Sequence, residues 1–309
     1  EISDQYYPLD DAMRSGFVWD YGPFEYWDLF GLDKGIELIK ANGGSIPKWI
    51  IDLKESGGNS FYKFENGQKK YFNIQSRKYE LLPGRESFII LDSCRENSPV
   101  LKNSECEVHD IGDGVLCFEF TSKSNSIGEG IGKGLNEILE IAERGEWNGL
   151  VIGNNAKQFS VGANLMNIGM LAMQKKYEVL DKFVSDFQKI NMRIRTCKIP
   201  VVVATQGYVF GGGCEISMHC DAGIYAAESY IGLVEVGVGL LPGGGGTKEF
   251  ALRASNDFFD GDVQTPTLIK YFKSIATAAV STSAHEAYDL GYLNRERDFV
   301  SVNAPMNLI

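Results

Sequence analysis

Histidine is scarce in this chain. Only His109, His219 and His285 occur among 309 residues. They lie far apart and never at His-x-x-x-His spacing, so no metal centre is expected, zinc least of all. The six cysteines, at positions 94, 106, 117, 197, 214 and 220, include no Cys-x-x-Cys pair. Thiols scattered in this way read as reduced core residues of a cytoplasmic protein. Positive charge is also in deficit, with 30 Lys and Arg against 41 Asp and Glu, a net −11. That excludes non-specific nucleic-acid binding, which needs a positive surface. A local basic pocket for a small anion remains compatible with it. No apolar run reaches the roughly 18 residues of a membrane span, and no secretory leader is expected. The chain opens on Glu1 rather than Met, so a piece of a longer protein is expected.

What is present is an ordinary globular composition, 44% hydrophobic and 23% charged, long enough for one large domain or two smaller ones. Three parts separate. Residues 1–58 are aromatic-rich and helical in pattern. Asp10 or Asp11 is placed to cap a first helix ending near Gly16. Pro23 opens a second helix, over 23–30, stopped by Gly31, and 35–44 forms a third, stopped by two glycines. Residues 59–106 begin with aromatic and polar residues flanking Asn66-Gly67, which predicts a hairpin, and continue as an extended connector. From 107 onward strands and helices alternate. Strands are predicted at 114–122, 150–153, 199–207 and 221–228, and helices at 127–145 and 214–221. The first of these helices has apolar residues at 131, 135, 138, 139 and 142. This alternation implies an α/β domain with crossover connections.

Three segments carry chemistry. In 206–221 a β-branched strand runs through Gly207 into Gly211-Gly212-Gly213 and then a helix. Glycines there let a ligand approach backbone N–H groups at a helix start. No Walker lysine and no Gly-x-Gly-x-x-Gly spacing accompany them, so the nucleotide readings fail and an amide aimed at a developing oxyanion fits better. Glu215 follows within one turn and would face the same cleft. In 154–168 a strand ends in the small-residue turn Ser160-Val161-Gly162-Ala163, a second place for an exposed amide. In 229–250 Glu235 lies among Leu233, Val234, Val236 and Gly237. Burying that carboxyl raises its pKa and makes it a proton donor. Singly, each acid reads as a helix-end or strand-end residue; together with both glycine turns they read as a site. His219 reads as structural, and Cys214 and Cys220 as core.

These segments, in this order and spacing, resemble the crotonase (enoyl-CoA hydratase/isomerase) superfamily over about 115–295. Pro242 and the glycines at 243–246 match its Pro-Gly-x-Gly-Gly segment. The resemblance implies a crotonase-like ββα spiral domain over 107–309 with shortened C-terminal helices, preceded by the small helical segment and the connector. It implies an oxyanion hole at Ala163 and Gly212, with Glu215 and Glu235 as the catalytic pair of an enoyl-CoA hydratase. It also places CoA against Lys123, Ser124, Lys157, Ser160 and Val161. The family's Gly-Ala-Asp is here Gly-Ala-Asn, with Asn164. Homo-oligomers are common among such relatives. The alternatives are an enoyl-CoA isomerase using one glutamate, or a non-catalytic acyl-CoA-binding module.

Residues 10–33, with the pattern GPFE-WD-GLD, resemble the C-terminal helical domain of 3-hydroxyacyl-CoA dehydrogenases. Together the two resemblances imply part of a bifunctional β-oxidation protein, active on its own or only when intact. The hydratase needs no cofactor. NAD is expected only for a dehydrogenase portion that would precede Glu1.

Overall fold

The computed structural model describes residues 3–65, 68–84, 89–95 and 97–302. It divides into two compact units, residues 1–96 and 97–309.

The first unit sets four helices, α1 (Tyr7–Phe17), α2 (Pro23–Phe30), α3 (Leu32–Ala41) and α4 (Lys48–Glu55), with an antiparallel sheet of β1 (Tyr62–Glu65), β2 (Gln68–Asn73) and β3 (Lys78–Leu81). A short helix, α5 (Leu91–Cys94), follows. Helices and strands share one core: Tyr6, Leu32, Ile50 and Leu53 pack with Phe61, Tyr62, Tyr71 and Phe72. The hairpin flanks pair from Tyr62↔Tyr71 to Glu65↔Gln68, while the Asn66-Gly67 turn lies outside the described residues. Asp10 does not cap its own helix. Pro8 stands in the first turn of α1, and the fully buried Asp10 accepts from Phe24 N at 2.9 Å and Tyr62 Oη at 2.6 Å, tying α1 to α2 and to the sheet.

The stretch expected as hairpin and connector is therefore shared between the units. Its aromatic faces bury against the helices. Its end supplies β4 (Leu101–Lys102) and β5 (Cys106–Asp110), whose Leu101, Cys106 and Val108 enter the core of the second unit.

That second unit is built on a seven-stranded sheet in the order β10-β9-β8-β7-β6-β5-β4. It comprises β6 (Val115–Phe120), β7 (Gly149–Gly153), β8 (Val201–Phe210), β9 (Ala222–Gly232) and β10 (Asp298–Ser301). From β6 to β10 the strands are parallel, and β4 and β5 add an antiparallel edge. Crossovers pass through α6 (Glu129–Ala142), then α7 (Leu165–Met173) and α8 (Tyr177–Arg195), then α9 (Gly212–His219), and last α10 (Gly246–Asn256), α11 (Thr265–Ala276) and α12 (Ala284–Leu290). The stripe predicted for α6 is the one it buries, including Ile131, Leu135, Ile138 and Leu139. No helix among the described residues is long and apolar enough to cross a membrane.

The register of β8 against β9 shifts between Thr205 and Gly207. Gly207 has φ +57°, and a Cβ there would lie 2.2 Å from the Lys157 carbonyl oxygen. Only glycine permits that approach. Beyond the bend, residues 207–210 pair with 229–232 and lead into α9.

Candidate active site

At the end of β8, Gly211 turns the chain with φ +51° and ψ −121° into α9. The first N–H groups of a helix have no partner within it. That of Gly212 finds no acceptor elsewhere among the described residues. The second turn runs alongside. Ser160 N donates to Tyr208 O at 2.9 Å, and Phe210 N donates to Ser160 O at 3.0 Å. Gly162, at φ +87°, comes so close that a Cβ would sit 2.8 Å from Phe210 O and 3.3 Å from Gly212 N. Ala163 is the bridging residue opposite Ile127. Its neighbours make the two bonds, Ile127 N to Gly162 O at 2.8 Å and Asn164 N to Ile127 O at 3.0 Å. Ala163 N–H is thereby turned away from Ile127 and has no acceptor among the described residues. The two amides singled out by sequence thus belong to adjoining turns.

Glu215 lies in the first turn of α9 and is 3% exposed. Its Oε1 accepts from Gly246 N at 2.9 Å, and the amides of Gly244 and Gly245 also face the carboxylate and favour its charge. Burial outweighs them and pushes its pKa up to about 7. Glu235 stands in a short 3-10 turn, Glu235–Val238, with Oε1 3.2 Å from where a Gly211 Cβ would be. Its Oε2 is closed off from solvent with no hydrogen-bond partner among the described residues. Burial first, and the Glu215 charge second, push its pKa up to about 8. Amides surround one carboxylate, and among the described residues none supports Oε2 of the other, so the surroundings favour charge on Glu215 more than on Glu235.

The glycine loop around Glu215 is held by α8, where Gln188 Nε2 donates to Gly243 O at 2.7 Å and Asn191 Nδ2 to Gly244 O at 2.8 Å. His219 Nδ1 lies 2.6 Å from the Glu215 carbonyl and its Nε2 lies 2.9 Å from Lys248 Nζ. Burial pushes this imidazole down to about 4, so it is neutral, with its proton on Nδ1. Cys214 and Cys220 are buried and their thiols are raised by burial, as befits core residues.

Among the residues expected at CoA, Lys123 and Ser124 are exposed on the 3-10 turn Lys123–Asn125, and Lys157 is exposed on the loop before Phe159. Asn125 Nδ2 donates to Gln158 O at 2.9 Å and joins these two segments. Val161 is half-buried in the second turn. Ser160 is different. It is fully buried, its hydroxyl donates to Asn125 O at 2.7 Å and accepts from Gly162 N at 3.1 Å, and its backbone groups pair with β8. With all its polar groups engaged internally, it holds the turn and has none left to present to CoA. Asn164 Oδ1 accepts from Asn167 N at 3.3 Å and caps α7, a task an amide performs as a carboxylate would. Sequence reasoning missed Asn125, Asn154 and Gln206. Gln206 Nε2 donates to Asn154 O at 2.8 Å and Ala156 O at 2.6 Å, bracing the loop. An amide within the otherwise apolar run 199–207 was the available signal.

The mostly parallel sheet thus carries two amides unengaged among the described residues, on adjoining turns, together with one buried carboxyl, Glu215, and one half-buried carboxyl, Glu235. Residues 110–258 match the enoyl-CoA hydratase/isomerase family. Over 304 residues the chain is 40% identical to the "Probable 3-hydroxyacyl-CoA dehydrogenase" of Bacillus subtilis (strain 168), a match that takes in 98% of this chain and 38% of that protein's length. Over 126 residues it is 36% identical to "Enoyl-CoA hydratase, mitochondrial" of Pongo abelii, covering 40% of this chain and 41% of that one. An enoyl-CoA hydratase structure from Polaromonas sp. JS666 shares the fold, with a TM-score of 0.54 at 23% identity over 64% of this chain and 71% of that one. The second unit therefore has a crotonase-like fold, and its residues 110–258 carry the match to the enoyl-CoA hydratase/isomerase family.

Proposed function

We propose that the second unit hydrates trans-2-enoyl-CoA reversibly to 3-hydroxyacyl-CoA. The thioester carbonyl accepts from the N–H groups of Ala163 and Gly212, which stabilise the enolate-like charge that develops as Cβ is attacked. One such donor is worth about 2.7–4 kcal/mol. Glu215, the carboxylate supported by amides, takes a proton from water as its oxygen bonds to Cβ. Glu235, protonated, delivers its proton to Cα on the same face, so addition is syn. Acid–base assistance of this kind contributes roughly 10²- to 10⁴-fold. The reaction is redox-neutral and uses no cofactor. Lys123, Ser124, Lys157 and Val161 border the CoA path, the lysines meeting phosphate.

The observation that carries this reading is the unlike environment of the two acids, amides around Glu215 and a buried Oε2 on Glu235 that is unpartnered among the described residues. Hydration needs one ionised and one protonated carboxyl, whereas an isomerase shuttles a proton with one. The experiment is to mix the chain with crotonyl-CoA and follow the conjugated thioester absorbance. It is expected to fall, with much slower loss in Glu215→Gln. No loss, with binding seen by calorimetry, would favour a binding module instead.

The relationship to the Bacillus protein also supports a place for this domain beside a 3-hydroxyacyl-CoA dehydrogenase. The first unit would then be the helical region of such an enzyme, and the hydroxyacyl product its NAD-dependent substrate. Incubating the natural full-length protein with crotonyl-CoA and NAD, and following NADH, tests that arrangement.

A further inference from the structure

His109 lies on β5, 2% exposed, and neither imidazole nitrogen has a hydrogen-bond partner among the described residues. A buried polar ring left so is costly. The sheet places it with two acids. Glu107 is two residues away on the same face of β5, and Glu119 of β6 is directly opposite Glu107. His109 Nε2 lies 3.5 Å from Glu107 Oε2 and 3.4 Å from Glu119 Oε2, and the three ligand atoms all lie within 4.8 Å of one another. A tetrahedral ion with bonds of about 2.0–2.2 Å keeps its ligand atoms roughly 3.3–3.6 Å apart. Lys102 Nζ engages Glu107 through its other oxygen, Oε1, at 2.5 Å.

We propose that Glu107, His109 and Glu119 form a binding site for a divalent transition-metal ion, with one nitrogen and two oxygen ligands and the remaining positions taken by water. The ion ligates Nε2 and so supplies the partner that this nitrogen lacks. It clips β5 to β6 on the face opposite Cys106, Val108 and Phe118, and it is structural, separate from Glu215 and Glu235. Nitrogen and oxygen donors suit zinc or manganese. No His-x-x-x-His spacing announces it, because the third ligand comes from the neighbouring strand.

The test uses the whole chain, treated with chelator and dialysed, then titrated with ZnCl2 by calorimetry and with Co²⁺ by visible absorption. About one equivalent of Zn²⁺ is expected to bind, and Co²⁺ is expected to show d–d bands without a thiolate charge-transfer band. His109→Gln and Glu119→Gln, checked for folding by circular dichroism, are each expected to weaken binding by about tenfold or more. Absence of both heat and d–d bands in the wild-type chain would overturn the proposal. So would a thiolate band, or unchanged affinity in both folded variants. The cobalt spectrum of the wild-type chain decides the ligand set even if a variant fails to fold.

Discussion

His219 donates its Nδ1 proton to the main-chain carbonyl of Glu215, one helical turn back, at 2.6 Å. The ring also lies under the loop that surrounds the Glu215 carboxylate, with Cε1 2.8 Å from where a Gly245 Cβ would stand. A buried residue thus packs against both the helix carrying the acid and the loop whose amides support it. His219→Phe keeps a ring and loses the donor. The carbonyl keeps its helical bond but loses this second donor, at a cost of about 0.5–1.5 kcal/mol, so Tm is expected to fall modestly. If part of that cost reaches the transition state, kcat drops a few-fold with KM nearly unchanged. Steady-state kinetics on crotonyl-CoA check this; a change confined to KM would contradict it.

In the proposed mechanism the acids act as a pair, so their removal is expected not to be additive. Glu215→Gln and Glu235→Gln are each expected to lower kcat by roughly 10²- to 10⁴-fold, and the double variant by little more than the worse single one. A double-mutant cycle on kcat measures the coupling. Additive losses would mean the two act independently.

The proposed mechanism requires Glu215 ionised and Glu235 protonated. With pKa values near about 7 and about 8, kcat/KM is expected to follow a narrow bell between them. Stability moves one way only. Both carboxyls are raised above the ordinary 4.5, so from that value up to about 8 the folded protein keeps protons that the unfolded chain has released. Stability therefore declines as pH rises through this window. Glu235→Gln, neutral at every pH, is expected to match the wild-type Tm near about pH 5 and to exceed it above about pH 8. Melting curves across pH check the sign.

Ser160 braces the turn that carries Ala163. Ser160→Ala removes its bonds to Asn125 O and Gly162 N and is expected to cost about 1–3 kcal/mol of stability, lowering kcat while leaving the affinity for free CoA unchanged. Calorimetry with CoA beside kinetics separates this from direct CoA binding, which would weaken CoA instead.

Much of the second unit was legible because its signals are local. The stripe of α6, the β-branched run of β8 and the glycines before α9 each encode their own conformation, and Glu235 among aliphatic residues announces its own raised pKa. What escaped depends on partners distant in sequence. The aromatic strands after residue 59 read as a separate hairpin because their core partners, Tyr6 at the cap of α1 and Leu32, Ile50 and Leu53 on later helices, precede them in the chain. Residues 101–106 read as connector because an edge strand is defined by its neighbour. Asp10 looked like a cap for α1, and only folding shows that it serves Phe24 and Tyr62. Ser160 looked like a substrate contact because a hydroxyl in a small-residue turn gives no sign of whether its partner is ligand or protein. Apolar content did not fix burial either, since α7, rich in Leu and Met, buries none of its residues.

The most direct measurement is product analysis in D2O. The whole chain is incubated with crotonyl-CoA and the acyl group is examined by NMR and mass spectrometry. A hydroxyl at Cβ with a single deuterium at Cα on the same face is expected, as two acids beside two amides would deliver. An acyl chain recovered without oxygen uptake, whether unchanged or with its double bond moved, would contradict hydration by Glu215 and Glu235.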